Sequence, residues 1–174
     1  MNRLQKIQGF VLKRKNLLEK DVLVTVFTKE YGKMTLIAKG IRSFTSKRAA
    51  HIQTGNFIKA QIRQSKSIWY LQSTELISGF LSLRIDAKID QIYLFLSIVD
   101  GLMPEDQEDI DVFDRMQHFF VMLSKNTDHV QVLKQNLQKL LETLGYVDGE
   151  LPLSELVQIA ENTIEKRLPR RVIM

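Results

Sequence analysis

The connection at residues 39–48 combines positive charge with a backbone that a ligand can approach closely. It contains Gly40, several small hydroxyl residues and no acid, and its cations are Lys39, Arg42, Lys47 and Arg48. Flexible cations beside accessible backbone amides are groups that bind phosphate. The pattern therefore predicts phosphate contacts at this loop, and the alternative is a solvated surface loop.

Further cations and aromatic residues extend this prediction to neighbouring segments. Proteins that bind single strands combine a basic track with aromatic side chains on which bases stack. The additional candidate cations are Lys13, Arg14, Lys15, Lys59, Arg63 and Lys66, and the candidate stacking residues are Phe44, Phe57 and Trp69. Packing at the junction between barrel and helices explains Trp69 equally well. Tyr31, beside Gly32, fits a turn residue better than a stacking residue.

Residues that support catalysis or metal binding are absent or scattered. The chain has no cysteine, and its three histidines, His51, His118 and His129, lack ligand spacing. The acidic run at 105–114 lacks the glycine and alternation of a calcium loop, and charge near a helix N-terminus explains it. No P-loop or G-x-S-x-G motif occurs. We therefore expect no enzyme activity, no cofactor and no metal.

Five short segments in the first half have the composition and alternation of β-strands, at 5–14, 21–28, 34–39, 56–64 and 67–74. In the fourth, apolar residues 58, 60 and 62 alternate with polar residues 59, 61 and 63. Gly32 is predicted to be left-handed in a hairpin loop, and Ser65 and Lys66 to form a second hairpin tip. Five antiparallel strands with an irregular connection after the third favour a closed barrel of the OB type, with a small β-sandwich as the alternative.

The second half changes to a helical period. Apolar residues at three- and four-residue spacing predict helices at 82–103, 109–124 and 128–144, and a fourth from after Pro152 to about Arg167. Asp128 and Ser154 are candidate N-caps, and Gly145 is the expected residue after the third helix. The change of period places a boundary near Gly79. The predicted fold class is α+β, with a barrel at 1–79 and a helical domain at 80–174.

The charge is divided between the two halves. Residues 1–80 contain fifteen Lys and Arg against four Asp and Glu, a net charge of +11, whereas residues 81–174 have a net charge of −6. A basic, β-rich module favours a polyanion partner, and nucleic acid is the first candidate. No apolar leader follows Met1 and no apolar stretch approaches the roughly 20 residues of a membrane span, so we expect a cytoplasmic protein.

An ordered series of short motifs in the first half is similar to the N-terminal domain of the bacterial RecO family of recombination mediators. The series includes Gly9-Phe10-Val11-Leu12, Val24-Thr25-Val26-Phe27-Thr28, Glu30-Tyr31-Gly32-Lys33 and Ala38-Lys39-Gly40-Ile41-Arg42. The resemblance covers roughly residues 5–75. The helical half is matched more loosely, through Leu144-Gly145-Tyr146 and a closing Arg-Leu-Pro-Arg-Arg segment.

This resemblance implies an OB-fold followed by a helical domain. It implies binding of single- and double-stranded DNA, annealing of complementary strands at the nucleoid, and help in placing recombinase on strands coated by single-strand-binding protein. The implied protein partners are RecR and single-strand-binding protein. Many members have a four-cysteine zinc module after the segment that matches Leu144-Gly145-Tyr146, and this cysteine-free sequence has none.

Two functional hypotheses follow. The first is a non-enzymatic DNA-repair mediator of the RecO type, in which the basic barrel binds phosphates and bases. The second is an RNA-binding or translation-associated module of the OB type with an unrelated helical tail. Acceleration of strand annealing distinguishes them, because a passive RNA binder should not accelerate duplex formation.

Overall fold

Five strands close into a barrel in the first part of the chain. In the computed structural model, which describes residues 4–41, 46–79 and 86–168, they are β1 (Leu4–Asn16), β2 (Val22–Thr28), β3 (Gly32–Ala38), β4 (Phe57–Ser65) and β5 (Ile68–Ser78). Their order around the barrel is β1-β2-β3-β5-β4. Neighbours are antiparallel except β3 and β5, which pair in parallel at Leu36 and Ile37. The predicted closed OB-type barrel is therefore confirmed, and the sandwich alternative is wrong.

The long strand β1 closes the barrel by pairing on both sides. Residues 4–10 pair with β4, and residues 9–16 pair with β2. A register shift between Val11 and Lys13 marks a bulge, which bends the strand from one partner to the other. Gly9 lies at the crossing, where a Cβ would be 2.6 Å from the carbonyl oxygen of Phe27. Only glycine fits the backbone here without displacing β2.

Alternation along the strands builds the barrel core. Ile58, Ala60 and Ile62 on β4 are buried, as their period-two spacing predicted, while Lys59 and Arg63 are exposed. The remaining core side chains come from the other strands and from the connection between β3 and β4: Ile7, Val11, Val22, Val24, Val26, Met34, Leu36, Ala38, Ile41, Ile52 and Leu71. Each buried Val, Leu or Ile contributes roughly 1.5–3 kcal/mol. This rigid core sets the positions of the polar residues on the outer face.

Two turns show how the sequence sets the strand ends. Gly32 has φ +67°, so the left-handed conformation predicted for it is confirmed. The β4–β5 turn differs by one residue from its prediction, because Ser65 pairs with Ile68 and the tip is Lys66-Ser67. Both tip residues have positive φ, 48° and 65°. This geometry suits the right-handed twist of a two-residue hairpin, although neither residue is a glycine.

The connection from β3 to β4 contains a single-turn helix, α1 (Arg48–His51), which the sequence analysis did not predict. Four residues are too few for a helical period to appear in the sequence. No side chain caps the N-terminus of α1. Side-chain contacts hold it instead: Asn56 Nδ2 donates to the carbonyls of Ala50 and His51 at 3.0 and 2.9 Å.

The segment Pro104–Glu108 belongs to the same compact unit as the barrel. Asp106 N donates to Lys33 O at 2.9 Å, and Thr35 Oγ1 donates to Glu105 Oε1 at 2.8 Å. The segment thus pairs with the start of β3, beside Lys33. The pairing of β3 with β5 is described only further along β3, at Leu36 and Ile37. The sequence analysis explained the acids of this segment by their position before a helix N-terminus. In the structure, the segment also hydrogen-bonds to the backbone of a barrel strand.

The second unit is helical. Its helices are α2 (Asp86–Leu102), α3 (Ile110–Lys125), α4 (His129–Thr143) and α5 (Leu153–Ile164). Their buried apolar residues repeat at helical spacing, for example Phe113, Met116, Phe120 and Leu123 on α3. The start of the first predicted helix, at 82–85, lies outside the described residues. No helix of the described ranges is long and apolar enough to span a bilayer.

The ends of α4 and α5 can be compared with the predicted capping residues. Asp128 accepts from Gln131 N at 3.0 Å, and Gly145 after α4 has φ +78°, so both predictions are confirmed. Ser154 was a wrong choice of cap, because α5 begins at Leu153 with Pro152 in the N-cap position and no side-chain cap. The same helix ends at Ile164, before the predicted Arg167, because Glu165 turns left-handed.

Candidate nucleic-acid interface

The first part of the 39–48 connection is fixed by contacts with the barrel. Gly40 N donates to Asp21 Oδ1 at 2.8 Å, which ties the end of β3 to the β1–β2 loop. Ile41 is part of the barrel core. Arg42 and Phe44, two of the predicted contact residues, lie outside the described residues. The loop therefore leaves the barrel from a defined backbone position.

Arg48 binds three backbone carbonyls on two segments. Its guanidinium donates to Lys39 O at 3.0 Å, Gln72 O at 3.2 Å and Leu71 O at 3.4 Å. The side chain thus clamps α1 to the end of β3 and to β5. Carbonyls carry no net charge, so the clamp keeps its positive charge at the surface while several of its donors are occupied.

Lys39 lies against the ring of Tyr70, whose cross-strand neighbour is Arg63. Lys39 is exposed, and its Nζ is 5.1 Å from the ring centroid of Tyr70. Arg63 on β4 is the register partner of Tyr70 on β5. A cation over a ring at this distance contributes about 0.5–1 kcal/mol at an exposed site. Tyr70 was missed by the sequence analysis, although its adjacency to Trp69 was visible.

Other predicted cations lie on the same part of the barrel. Lys13, Arg14 and Lys15 are exposed on the second half of β1, and Lys47 is exposed beside Arg48. Lys15 pairs with Leu23 on β2, and Leu23 pairs with Ile37 on β3, two residues before Lys39. The strand order therefore brings the end of β1 close to the end of β3. Lys66 is exposed at the separate β4–β5 tip.

A groove of about 540 Å³ lies on the outer face of β1, β4 and β5. It contains the predicted cation Lys59 and also Lys6, which the sequence analysis missed. The alternation of Lys6 and Gln8 with Ile7 and Gly9 was the available signal. The groove is not purely basic, because Glu30 and Glu75 also line it.

The predicted stacking residues that the structure describes are engaged with other rings or the core. Phe57 is stacked on Phe10 with ring centroids 4.5 Å apart. Trp69 packs half-buried on the barrel core, 6.5 Å from the Tyr31 ring. Phe10 covers one face of the Phe57 ring, so a base could stack only on the other face of that ring.

Lysines of the helical unit are bound to acids of the same unit. Lys134 Nζ is 2.8 Å from Glu150 Oε1, and Lys139 Nζ is 3.2 Å from Glu142 Oε2. The hydrogen bond from Lys134 lowers the pKa of Glu150, and hydrogen bonds from Gln138 and Lys139 lower the pKa of Glu142. These two lysines are thus less available to a phosphate. Within the described ranges, no group of three or more His, Cys, Asp and Glu is arranged to hold a metal.

Comparison with known proteins finds similarity to one family. The model of the recombination protein O N-terminal domain matches residues 1–80, which include all five strands. The alignments with curated DNA repair proteins RecO continue into the helical half, over 142 residues or more in most cases. The chain is similar to DNA repair proteins of the RecO family.

Three relatives, each a DNA repair protein RecO, show the extent of the match. The protein of Clostridium novyi is 29% identical over 143 residues, 81% of this chain and 56% of the relative. That of Caldicellulosiruptor bescii is 29% identical, with 83% and 59% covered. That of Acetivibrio thermocellus is 30% identical, with 81% and 57% covered. The chain thus spans less than two thirds of the length of these RecO relatives.

Proposed function

We propose that this protein is a non-enzymatic mediator of DNA repair and recombination that acts on DNA in the cytoplasm. It binds single- and double-stranded DNA and anneals complementary strands. It helps to place recombinase on DNA coated by single-strand-binding protein, and its protein partners are that protein and RecR. Similarity to RecO proteins supports the repair role, since the matched relatives are DNA repair proteins.

The observation that carries the DNA-binding part is the cationic surface where β3 ends. Lys39 and Lys47 are exposed there, and Arg48 adds a charge held on backbone carbonyls rather than on a carboxylate. Asp21, in the β1–β2 loop, accepts a hydrogen bond from Gly40 N at this end of β3. Cations without acid partners release counterions from DNA when they bind phosphates, which favours association.

This geometry also supports annealing. Two complementary strands repel each other through their phosphates, and a basic surface that contacts both lowers that repulsion. The Arg48 clamp fixes the backbone at Lys39, so the cations of the surface are held at defined positions while their side chains stay mobile. No covalent step is needed, because base pairing itself supplies the free energy of the product duplex.

An annealing assay with complementary oligonucleotides, with and without single-strand-binding protein, tests the proposal. The double variant Lys39→Ala plus Lys47→Ala should bind single strands about 5- to 150-fold more weakly at low salt. Its plot of log affinity against log salt should be shallower by about 1.4, if each lysine neutralises one phosphate. Annealing should fall in parallel.

The control is Lys134→Ala plus Lys139→Ala, which removes two charges of the helical unit that are paired with Glu150 and Glu142. This control should bind and anneal like the parent. Equal damage in the control, or full annealing by the Lys39 and Lys47 variant, contradicts the assignment of DNA binding to this surface. Binding of RNA without any acceleration of annealing would instead favour the RNA-binding hypothesis.

A further inference from the structure

The outer face of β1 and β4 has one cation on each of three successive cross-strand pairs. The register opposes Gln8 with Lys59, Lys6 with Gln61, and Leu4 with Arg63. Successive pairs on one face are two residues apart, or about 6.8 Å. The three cations therefore form a zigzag row with nearly regular steps along the groove.

Strand β5 completes the groove with different chemistry at each end. Glu75 is opposite Lys59, Ser73 is opposite Gln61, and Tyr70 is opposite Arg63. Glu30 adds a second carboxylate at the Lys59 end. The groove is thus acidic at the Lys59 end, and Arg63 and Tyr70 follow on the same two strands beyond its other end, with Lys6 between the two regions.

Several polar groups of the groove have no partner within the described part of the chain. The side chains of Lys6, Lys59 and Glu75 form no hydrogen bond or ion pair with described residues. Glu30 Oε2 accepts a hydrogen bond from Gln8 N at 3.0 Å, so its Oε1 remains available to accept one from a ligand. The groove can therefore offer donors and acceptors to a ligand without breaking a recorded contact.

The ligand that fits both kinds of group is an extended single strand of nucleic acid. Its phosphates repeat at a spacing comparable to the step between Lys6 and Arg63, and its unpaired bases expose amino groups that donate to carboxylates. In a duplex one hydrogen of each such amino group is used in the base pair, and in B-DNA adenine and cytosine present the other only in the major groove. An acidic peptide satisfies the cations but brings further negative charge to Glu30 and Glu75.

We propose that this groove is a single-strand subsite of the barrel that prefers bases with an exocyclic amino group. Lys6 and Arg63 contact successive phosphates, and Tyr70 stacks on a base beside Lys39. Glu75, with Glu30, accepts a hydrogen bond from the base at the other end. Cytosine offers that donor and thymine does not. The inference rests on the proposed DNA binding and extends it from the 39–48 connection into the groove.

The test compares binding of fluorescent oligo-dC and oligo-dT of equal length to the full chain by anisotropy. The parent should favour oligo-dC by about three- to tenfold, the ratio expected for one hydrogen bond. Glu75→Gln should reduce this ratio towards one, because an amide accepts more weakly and also donates to thymine O4. Lys6→Gln should weaken both oligonucleotides equally and make the salt slope shallower by about 0.7.

The matched control is Lys166→Gln, which removes one exposed charge of the helical unit and should change neither affinity nor base preference. If Lys6→Gln and Glu75→Gln behave like the parent while the Lys39 and Lys47 variant loses affinity, the subsite is wrong and the proposed function stands. If the parent binds neither oligonucleotide, the proposed function itself fails. Displacement of DNA by polyglutamate, with a base ratio near one in the parent, would show a peptide site instead.

Discussion

Substitution of Gly32 by alanine should destabilise the barrel through two separate effects. Gly32 has φ +67°, and a Cβ there would clash with the carbonyl oxygen of Gln107. The contact is with backbone, so it cannot be relieved by a side-chain rotation. Either β3 or the segment Pro104–Glu108 must move.

The expected cost can be summed from these effects. A left-handed alanine costs about 1–2 kcal/mol relative to glycine. Displacement of the segment also breaks the bonds from Asp106 N to Lys33 O and from Thr35 Oγ1 to Glu105, each worth about 1 kcal/mol. The total is about 3–4 kcal/mol, a large part of the stability of a typical domain.

Trp69 makes the measurement specific to the barrel. It is the single tryptophan of the chain and packs half-buried on the barrel core, so its fluorescence in a urea titration follows unfolding of that unit. Gly40→Ala is the control, because Gly40 has φ +63° and no heavy atom of the described residues lies within 4 Å of a Cβ there. It should cost only the backbone part, about 1–2 kcal/mol. Equal costs for the two variants would refute the idea that Gln107 sets the requirement for glycine at position 32.

Two further predictions concern charged contacts. Arg48→Lys keeps the charge but loses the planar donors that reach three carbonyls, so the free energy of unfolding of the barrel should fall by about 1–2 kcal/mol while the salt slope of DNA binding stays unchanged. An unchanged free energy of unfolding would contradict a structural role of these three bonds. Because Lys134 lowers the pKa of Glu150 below its ordinary value of 4.5, that pair stabilises the folded helical unit at neutral pH, and the contribution is lost as the pH falls below 4.5 through the lowered folded-state pKa. Circular dichroism melts from pH 7 to pH 3 should show a smaller loss of stability for Lys134→Ala than for the parent.

Much of the barrel was predictable because its signals are local. The alternation of Ile58, Ala60 and Ile62 with polar neighbours needs no knowledge of other strands, since one face of any strand must be buried. Gly32 and Gly145 were predictable for a related reason, as turns and helix ends that require positive φ favour glycine. The family signal in the first half lies in the same motifs.

Features that depend on distant partners were not predictable. The pairing of Pro104–Glu108 with β3 joins residues about seventy positions apart, and its acids fitted a helix approach equally well. The helix α1 is stabilised by hydrogen bonds of Asn56 and Arg48 that join it to other segments, rather than by a helical pattern in its sequence. The β4–β5 tip shifted by one residue because Lys66 and Ser67 adopt positive φ without glycine, against the local preference.

In the candidate site, too, some features follow from the local sequence and others depend on distant partners. Residue types identified most of the cations, but the register decided which of them are neighbours. Lys6 is close to Lys59 only because Gln8 and Lys59 are opposed across β1 and β4, and Tyr70 is a neighbour of both Lys39 and Arg63 only because β5 pairs with both β3 and β4. No pattern within one strand contains that information.

The number of cations alone does not locate a phosphate-binding surface, because each cation has several possible acceptors. Lys134 and Lys139 are bound to carboxylates, and Arg48 is bound to carbonyls, which accept the same guanidinium donors as a phosphate does. Among the described residues, the Lys39 ammonium contacts the face of the Tyr70 ring and no acid, and the Lys6 side chain has no partner. A phosphate that approaches Lys134 must compete with Glu150, whereas one that approaches Lys39 or Lys6 displaces only water or a weak ring contact. The cations whose charge is not already committed to an acid are therefore those from which DNA binding should be built.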